Sequence, residues 1–271
     1  MLNRTLSVLA TVVTLLAGAA PAAMAAGSGT GTGTTTADFR TAVGARGESR
    51  VTAAVLDLDG TGRDPAVYGD DTPYDTASIV KVDILAALLL HARDHRRDLT
   101  ARESAQADVM IRDSDNTAAG ALWRAIGQAP GLESANRRLG LTSTTGGPDG
   151  RWGLTRTTAS DQIRLLRAIF ATDGTALDAP SRNRIRTLMT QIAADQSWGV
   201  SAAADSGWAL KNGWLMRTAT GLWDINSVGR VTAGGHHYLV AVLSDGNASM
   251  PDGVQLVERA ARTAVTTTAP H

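Results

Sequence analysis

Ser78 and Lys81 stand three residues apart in Ala77-Ser78-Ile79-Val80-Lys81, ahead of a run that stays apolar to Leu90 apart from Lys81 itself and Asp83. At the start of a helix this spacing puts both side chains on one face, with roughly 5–6 Å between β-carbons, so the amine can reach the hydroxyl. An apolar helix disfavours the ammonium form, and a neutral amine can take the serine proton as the hydroxyl attacks a carbonyl. Helix N-terminal amides add a positive field where an oxyanion would form. A second hydroxyl lies in Ser114-Asp115-Asn116, between two helical patterns. There Ser114 can pass a proton to a leaving nitrogen and Asn116 can hold a substrate amide, although these residue types are also the ordinary caps of helices. A third cluster, Lys211-Asn212-Gly213-Trp214, ends a strand pattern. Gly213 permits a ligand backbone to approach the strand edge, and Lys211 offers a positive charge for a carboxylate.

Taken singly these patterns are weak, since an S-x-x-K arises about once by accident in a chain of this size. Lysine usage makes them informative together. Of 26 basic residues only Lys81 and Lys211 are lysine, and the rest are arginine. A chain that charges its surface with guanidinium keeps lysine where a compact or deprotonatable amine is required. Both lysines fall inside the reactive patterns.

Other residues invite chemistry less. Asp57-Leu58-Asp59-Gly60-Thr61 after an apolar stretch matches the nucleophile motif of haloacid-dehalogenase-like phosphatases, with Asp57 accepting the phosphoryl group and Asp59 as acid. That reading needs alternating parallel strands and helices afterwards, whereas the segment leads into another short strand, and D-G is a standard turn. His91 and His95 have metal-ligand spacing but lack the glutamate of H-E-x-x-H and sit among arginines, as a solvated helix end does. His236 and His237 are adjacent in a strand and face opposite ways. With no histidine accompanying a G-x-S-x-G, a Ser-His-Asp mechanism has no support. No metal and no cofactor is implied.

The positioning elements follow from periodicity. Residues 37–45 read as a first helix, and 50–59 with 66–69 as a hairpin across Gly60-Thr61-Gly62. Thr76 or Ser78 is expected to cap a buried helix from 79 to about 95. Helical patterns follow at 100–111, 117–126, 131–139, 158–170 and 181–194; strands at 208–211, 223–231 and 237–243; and a closing helix at 254–265. Strands at both ends and helices between them imply an α+β fold: an antiparallel sheet of about five strands flanked by terminal helices, with an inserted all-helical lobe and a ligand cleft between the two. Trp198, Trp208 and Trp223 read as core, and Trp214 as either core or cleft wall.

The chain has 271 residues, 43% hydrophobic, with zero formal net charge and no long basic run. This argues against nucleic acid or an anionic bilayer as partner and for a small neutral or zwitterionic ligand. A basic start, an apolar stretch from Leu6 to Ala20 and Ala23-Met24-Ala25 read as a secretory signal peptide over 1–25, so the mature protein is expected to be extracytoplasmic and off the membrane. A monomer is expected. A Gly/Thr-rich linker over 26–36 precedes one domain, 37–271, with its sheet lobe at about 37–77 and 205–271 and its helical lobe at about 78–204. Zero cysteines exclude disulfides, thiol catalysis and thiolate metal sites.

S-x-x-K, S-D-N and a K-[T/S]-G-like triplet in this order resemble the penicillin-recognising serine enzymes, that is, class A β-lactamases and penicillin-binding transpeptidases. The likeness covers about 37–265, including Trp152-Gly153-Leu154-Thr155-Arg156-Thr157-Thr158-Ala159, which looks like the entry to the helix after that family's omega loop. The resemblance implies an active-site-serine acyl hydrolase or acyltransferase acting on a β-lactam or a D-alanyl cell-wall peptide. Ser78 would be its nucleophile and Lys81 the base, and Ser114 would be the proton relay. Asn116 would bind the substrate amide and Lys211 the carboxylate, Asn212 and Gly213 would belong to the same substrate-binding strand, and the N–H groups of Ser78 and Trp214 would form the oxyanion hole. There are two departures. Asn212 stands where the family has threonine or serine, and between Glu133 and Glu258 there is no glutamate to activate a deacylating water. Asp149, in a glycine-rich segment, reads as a turn residue. Easy acylation and slow release are therefore expected, since losing a general base costs roughly 10²–10⁴-fold. A non-catalytic binding module on the same scaffold is the competing reading.

Overall fold

The computed structural model describes residues 36–62, 64–171 and 175–269. The expected signal peptide and all but the last residue of the expected linker lie outside them.

Five strands make one antiparallel sheet: β1 (Arg50–Asp57), β2 (Ala66–Tyr68), β5 (Trp208–Met216), β6 (Trp223–Ala233) and β7 (His236–Asn247), in the order β2-β1-β7-β6-β5. The first and last long strands are neighbours, running from Arg50 opposite Asp245 to Asp57 opposite Tyr238. Two further strands, β3 (Tyr74–Asp75) and β4 (Arg156–Thr157), pair as a separate ribbon. The phosphatase reading fails here, because it requires a parallel sheet and every strand pairing among the described residues is antiparallel.

The sheet is buried on both faces, which explains why β7 reads as an unbroken apolar run. Val51, Ala53, Val55, Val240 and Val242 pack with helices α1 (Thr36–Ala42) and α8 (Met250–Thr268). Ala54, Leu56, Leu239, Ala241 and Leu243 turn the other way, into the core of the central helices. Those helices are α2 (Val80–Asp94), α3 (Ala101–Arg112), α4 (Asn116–Ala125), α5 (Gln128–Leu139), α6 (Ala159–Phe170) and α7 (Ala179–Met189).

Helix α2 lies among α3, α4, α5 and α7, so its apolar residues are buried all round, as its sequence requires. Helix α3 starts at a capping box in which Thr100 and Glu103 satisfy each other's backbone amides. Strand β5 runs five residues beyond its expected end, so the third cluster sits within a strand and not after one. No helix among the described residues is long and apolar enough to cross a membrane.

Candidate active site

Ser78 sits in a single 3-10 turn, Ala77–Ile79, that feeds directly into α2. Neither Thr76 nor Ser78 caps the helix through its side chain, contrary to expectation, and the Thr76 hydroxyl has no partner. The turn is held by its backbone instead. The Thr76 amide donates to the Thr155 carbonyl at 2.8 Å, and Asn226 Nδ2 on β6 donates to the carbonyls of Asp75 and Thr76 at 2.9 and 3.1 Å. Ala77 is forced to φ +46°, a left-handed conformation that costs an L-residue about 1–2 kcal/mol. Such strain persists only where surrounding contacts over-determine it, and here they surround the candidate nucleophile.

Lys81 is fully buried one turn into α2. Its Nζ donates to the Ser114 carbonyl at 2.6 Å, to Ser114 Oγ at 3.0 Å and to Asn116 Oδ1 at 2.8 Å. Burial holds its pKa down to about 7, against a smaller opposing pull from Asp115. The carbonyl and the amide oxygen can only accept, whereas a hydroxyl can also donate. When Lys81 loses a proton, Ser114 Oγ is therefore the partner able to reverse its hydrogen bond and feed the lone pair. The indole of Trp152 covers the same amine, with 4.9 Å between Nζ and the ring centroid.

The S-D-N tripeptide divides its labour. Asp115 is the helix cap that composition suggested, accepting from the Ala118 amide at 2.6 Å. Ser114, at φ +56°, turns both its carbonyl and its hydroxyl toward Lys81.

Lys211 is also fully buried, and its Nζ donates to the Asn212 carbonyl at 3.0 Å. Burial, and secondarily the charge of Lys81, lower its pKa to about 7. Gly213 does more than admit a ligand: a Cβ there would stand 2.7 Å from the Thr76 carbonyl and 2.8 Å from the Ser78 amide nitrogen. Only glycine lets β5 come this close to the serine turn.

The Asn212 side chain is engaged away from Lys211. It is fully buried, and Nδ2 donates to the carbonyls of Gln196 and Trp198 at 2.7 and 3.0 Å. Both amide hydrogens are spent on this loop, so none remains for a substrate carboxylate. The Trp214 side chain resolves to the core alternative, packing on the α8 side of the sheet with its ring 6.0 Å from that of Trp198. Trp198, Trp208 and Trp223 are partly buried in the same cluster. Asp149 is exposed, pairs with Arg151 at 2.8 Å and has φ +52°, as a turn residue does.

Among the described residues, Asp57, Asp59 and His236 bring potential metal-ligand atoms within 4.8 Å of one another. Ordinary pairing accounts for the group: Asp57 meets His236 and Asp59 meets His237, each at 2.9 Å. These pairs lie where the end of β1 meets the start of β7, on residues separate from the lysine cluster. Sequence reasoning missed Asn226 and Trp152, since a lone asparagine in a strand and a tryptophan in a loop belong to none of the three patterns.

Comparison with known proteins bears on the family and the fold. The model of the Beta-lactamase enzyme family matches residues 97–268. "Putative lipoprotein LppW" from Mycobacterium bovis and from Mycobacterium tuberculosis is 37% identical over 89 residues, 33% of this chain and 28% of the relative. The match thus spans little more than a quarter of those relatives' length. Among solved structures, PBP-A superposes with TM-score 0.70 at 19% identity, covering 86% of this chain and 94% of the other. A point mutant of PBP-A, an acyl-enzyme complex with penicillin G, gives 0.68 at 18% identity, with 86% and 95% covered. The TLA-1 extended-spectrum β-lactamase gives 0.72 at 14% identity, with 85% and 97% covered. At such identities the structural likeness is one of fold. The family match extends over more than half of the sequence, and the chain belongs to the β-lactamase enzyme family.

Proposed function

We propose that the protein is an exported active-site-serine acyl hydrolase or acyltransferase that forms a covalent ester between Ser78 and a β-lactam or D-alanyl-peptide-like amide. The observation that carries the reading is Lys81: a buried amine with a pKa of about 7, one turn from Ser78 and hydrogen-bonded to a second hydroxyl, Ser114. As Ser78 Oγ bonds to the substrate carbonyl carbon, its proton passes to neutral Lys81. Charge gathers on the carbonyl oxygen, which the N–H groups of Ser78 and Trp214 receive. The carbon–nitrogen bond then breaks, and Lys81 returns the proton to the leaving nitrogen through Ser114. With Asn116 Oδ1 accepting from Lys81, its Nδ2 hydrogens remain to hold a substrate carbonyl. Lys211 supplies positive charge toward a substrate carboxylate.

Release of the ester is slow in this reading. The hydrogen bonds of Lys81 go to Ser114 and Asn116, neither a carboxylate, and Asp149 points to solvent. Extracytoplasmic placement is supported by the signal-like leader and by the relative named as a lipoprotein. The test is to incubate the purified protein and Ser78→Ala with a fluorescent penicillin and follow the label over time. Labelling that depends on Ser78 and persists for minutes or longer is expected. Label that decays in seconds would overturn slow release, and absence of any label would remove β-lactams from the substrate class.

A further inference from the structure

We infer that Trp152 is a fixed cover that keeps water away from Lys81 and from the Ser78 ester, and so sets how long that ester lasts. This rests on the acyl-ester reading above and deepens it.

The geometry around Trp152 leaves little freedom. Residues 145–156 form a loop closed at its neck by reciprocal hydrogen bonds, Thr145 N to Arg156 O and Arg156 N to Thr145 O, both 2.9 Å. Beyond the neck, β4 pairs with β3, placing Asp75 opposite Arg156 and Tyr74 opposite Thr157. The Thr76 amide reaches across to the Thr155 carbonyl. The loop is thereby tied to the residues just before Ser78. Its interior is tight as well: the Gly147 amide donates to Thr155 Oγ1 at 3.1 Å, and a Cβ at Gly147 would stand 2.1 Å from the Arg151 carbonyl. Within this frame Gly153 packs over Ala77, 3.9 Å from its Cα to a Cβ built on the glycine, and the half-buried indole of Trp152 lies on the Lys81 amine.

Chemistry gives this placement its consequence. To hydrolyse the ester, a water oxygen must bond to the acyl carbon, the bond from that carbon to Ser78 Oγ must break, and the water proton must reach Oγ through a base. An indole has one N–H donor and no acceptor, so it cannot take that proton. Its ring, with its centroid 4.9 Å from Nζ, stands beside the Lys81 amine. The loop's one carboxylate, Asp149, is directed outward into a pair with Arg151. The same cover removes solvent from the amine, in keeping with its lowered pKa.

Trp152→Phe, Trp152→Ala and Trp152→Glu in the full chain test this, with two readouts. In the first, each variant is labelled with a fluorescent penicillin and loss of label is followed. Trp152→Phe should match wild type, Trp152→Ala should lose label several-fold faster, and Trp152→Glu faster by on the order of 10²-fold because it adds a base. In the second, ¹³C-lysine NMR follows the two lysine side chains with pH, Lys211→Arg assigning the signals. The Lys81 midpoint should rise by about one pH unit in Trp152→Ala and stay in place in Trp152→Phe. Variants that keep a native circular dichroism spectrum yet retain both wild-type label lifetime and the Lys81 midpoint would overturn the inference. If wild type takes no label, the acyl-ester reading fails for β-lactams, while the lysine titration still decides whether Trp152 covers the amine.

Discussion

Asn116 Oδ1 accepts a hydrogen bond from Lys81 Nζ at 2.8 Å, while its neighbour Asp115 turns away and closes the end of α4. The left-handed backbone at Ser114 makes this division possible. Side chains that are adjacent in sequence thus separate into one that stabilises a helix and two that hold an amine.

The division can be tested directly. Asp115→Ala removes a cap worth about 1 kcal/mol, which in a domain of this size lowers Tm by about 2–4 °C. Acylation should change less than about ten-fold, the general-base loss being at least 10²-fold by comparison. Ser114→Ala should do the reverse, leaving Tm within about 2 °C and slowing acylation by on the order of 10²-fold. Thermal melts with parallel labelling rates check both.

Acylation should rise with pH and turn over near 7. Below that value Lys81 carries a proton and cannot accept one from Ser78, so the rate climbs as the amine becomes neutral. Lys211, also lowered to about 7, loses charge in the same region, and the two titrate as a pair whose midpoints belong to both. An anionic substrate below saturation should therefore give a bell-shaped profile. Labelling rates from pH 5 to about 9 read this out.

The same lysines predict a stability effect. Their folded pKa values of about 7 lie below the ordinary 10.5, so between these values the unfolded chain binds more protons than the folded one. Their contribution to stability therefore rises with pH across that window. Urea unfolding at several pH values should show a slope that Lys81→Met and Lys211→Met each reduce.

Gly213→Ala should disable the site through the backbone. The added methyl would press on the Thr76 carbonyl and the Ser78 amide, so β5 and the serine turn must move apart. Overpacking of this kind costs about 1–3 kcal/mol. Denaturant melts should register that loss, and labelling should fall further than the stability change explains.

Asn212 distinguishes scaffold from ligand. Asn212→Ala removes two hydrogen bonds to buried carbonyls and should destabilise the protein by about 1–3 kcal/mol. If the side chain serves only the 196–198 loop, the concentration of penicillin giving half-maximal acylation rate should stay within about two-fold of wild type, well short of what a lost charged hydrogen bond would cause. A ten-fold rise would return Asn212 to the ligand.

Much of the fold was legible because its signals are local. The uniformly apolar α2 and the apolar strands each follow from short-range periodicity, and strands at both chain ends require pairing across the whole sequence. Boundaries were less legible. The 3-10 turn at Ser78 depends on contacts from Thr155 and Asn226, which arrive from more than 70 residues away, and the full length of β5 depends on its pairing with β6.

The amino-acid sequence by itself determined which groups were available: a hydroxyl and an amine one helical turn apart, a second hydroxyl, and a second lysine on a strand, in a chain that uses lysine nowhere else. Tertiary structure decided what each of them meets. It buried both amines, turned Ser114 toward one of them, spent the Asn212 donors on a loop, and laid Trp152 over Lys81. The reason is physical: residue type and spacing carry a group's reactivity, whereas proton affinity and solvent access depend on neighbours that only the folded chain brings together.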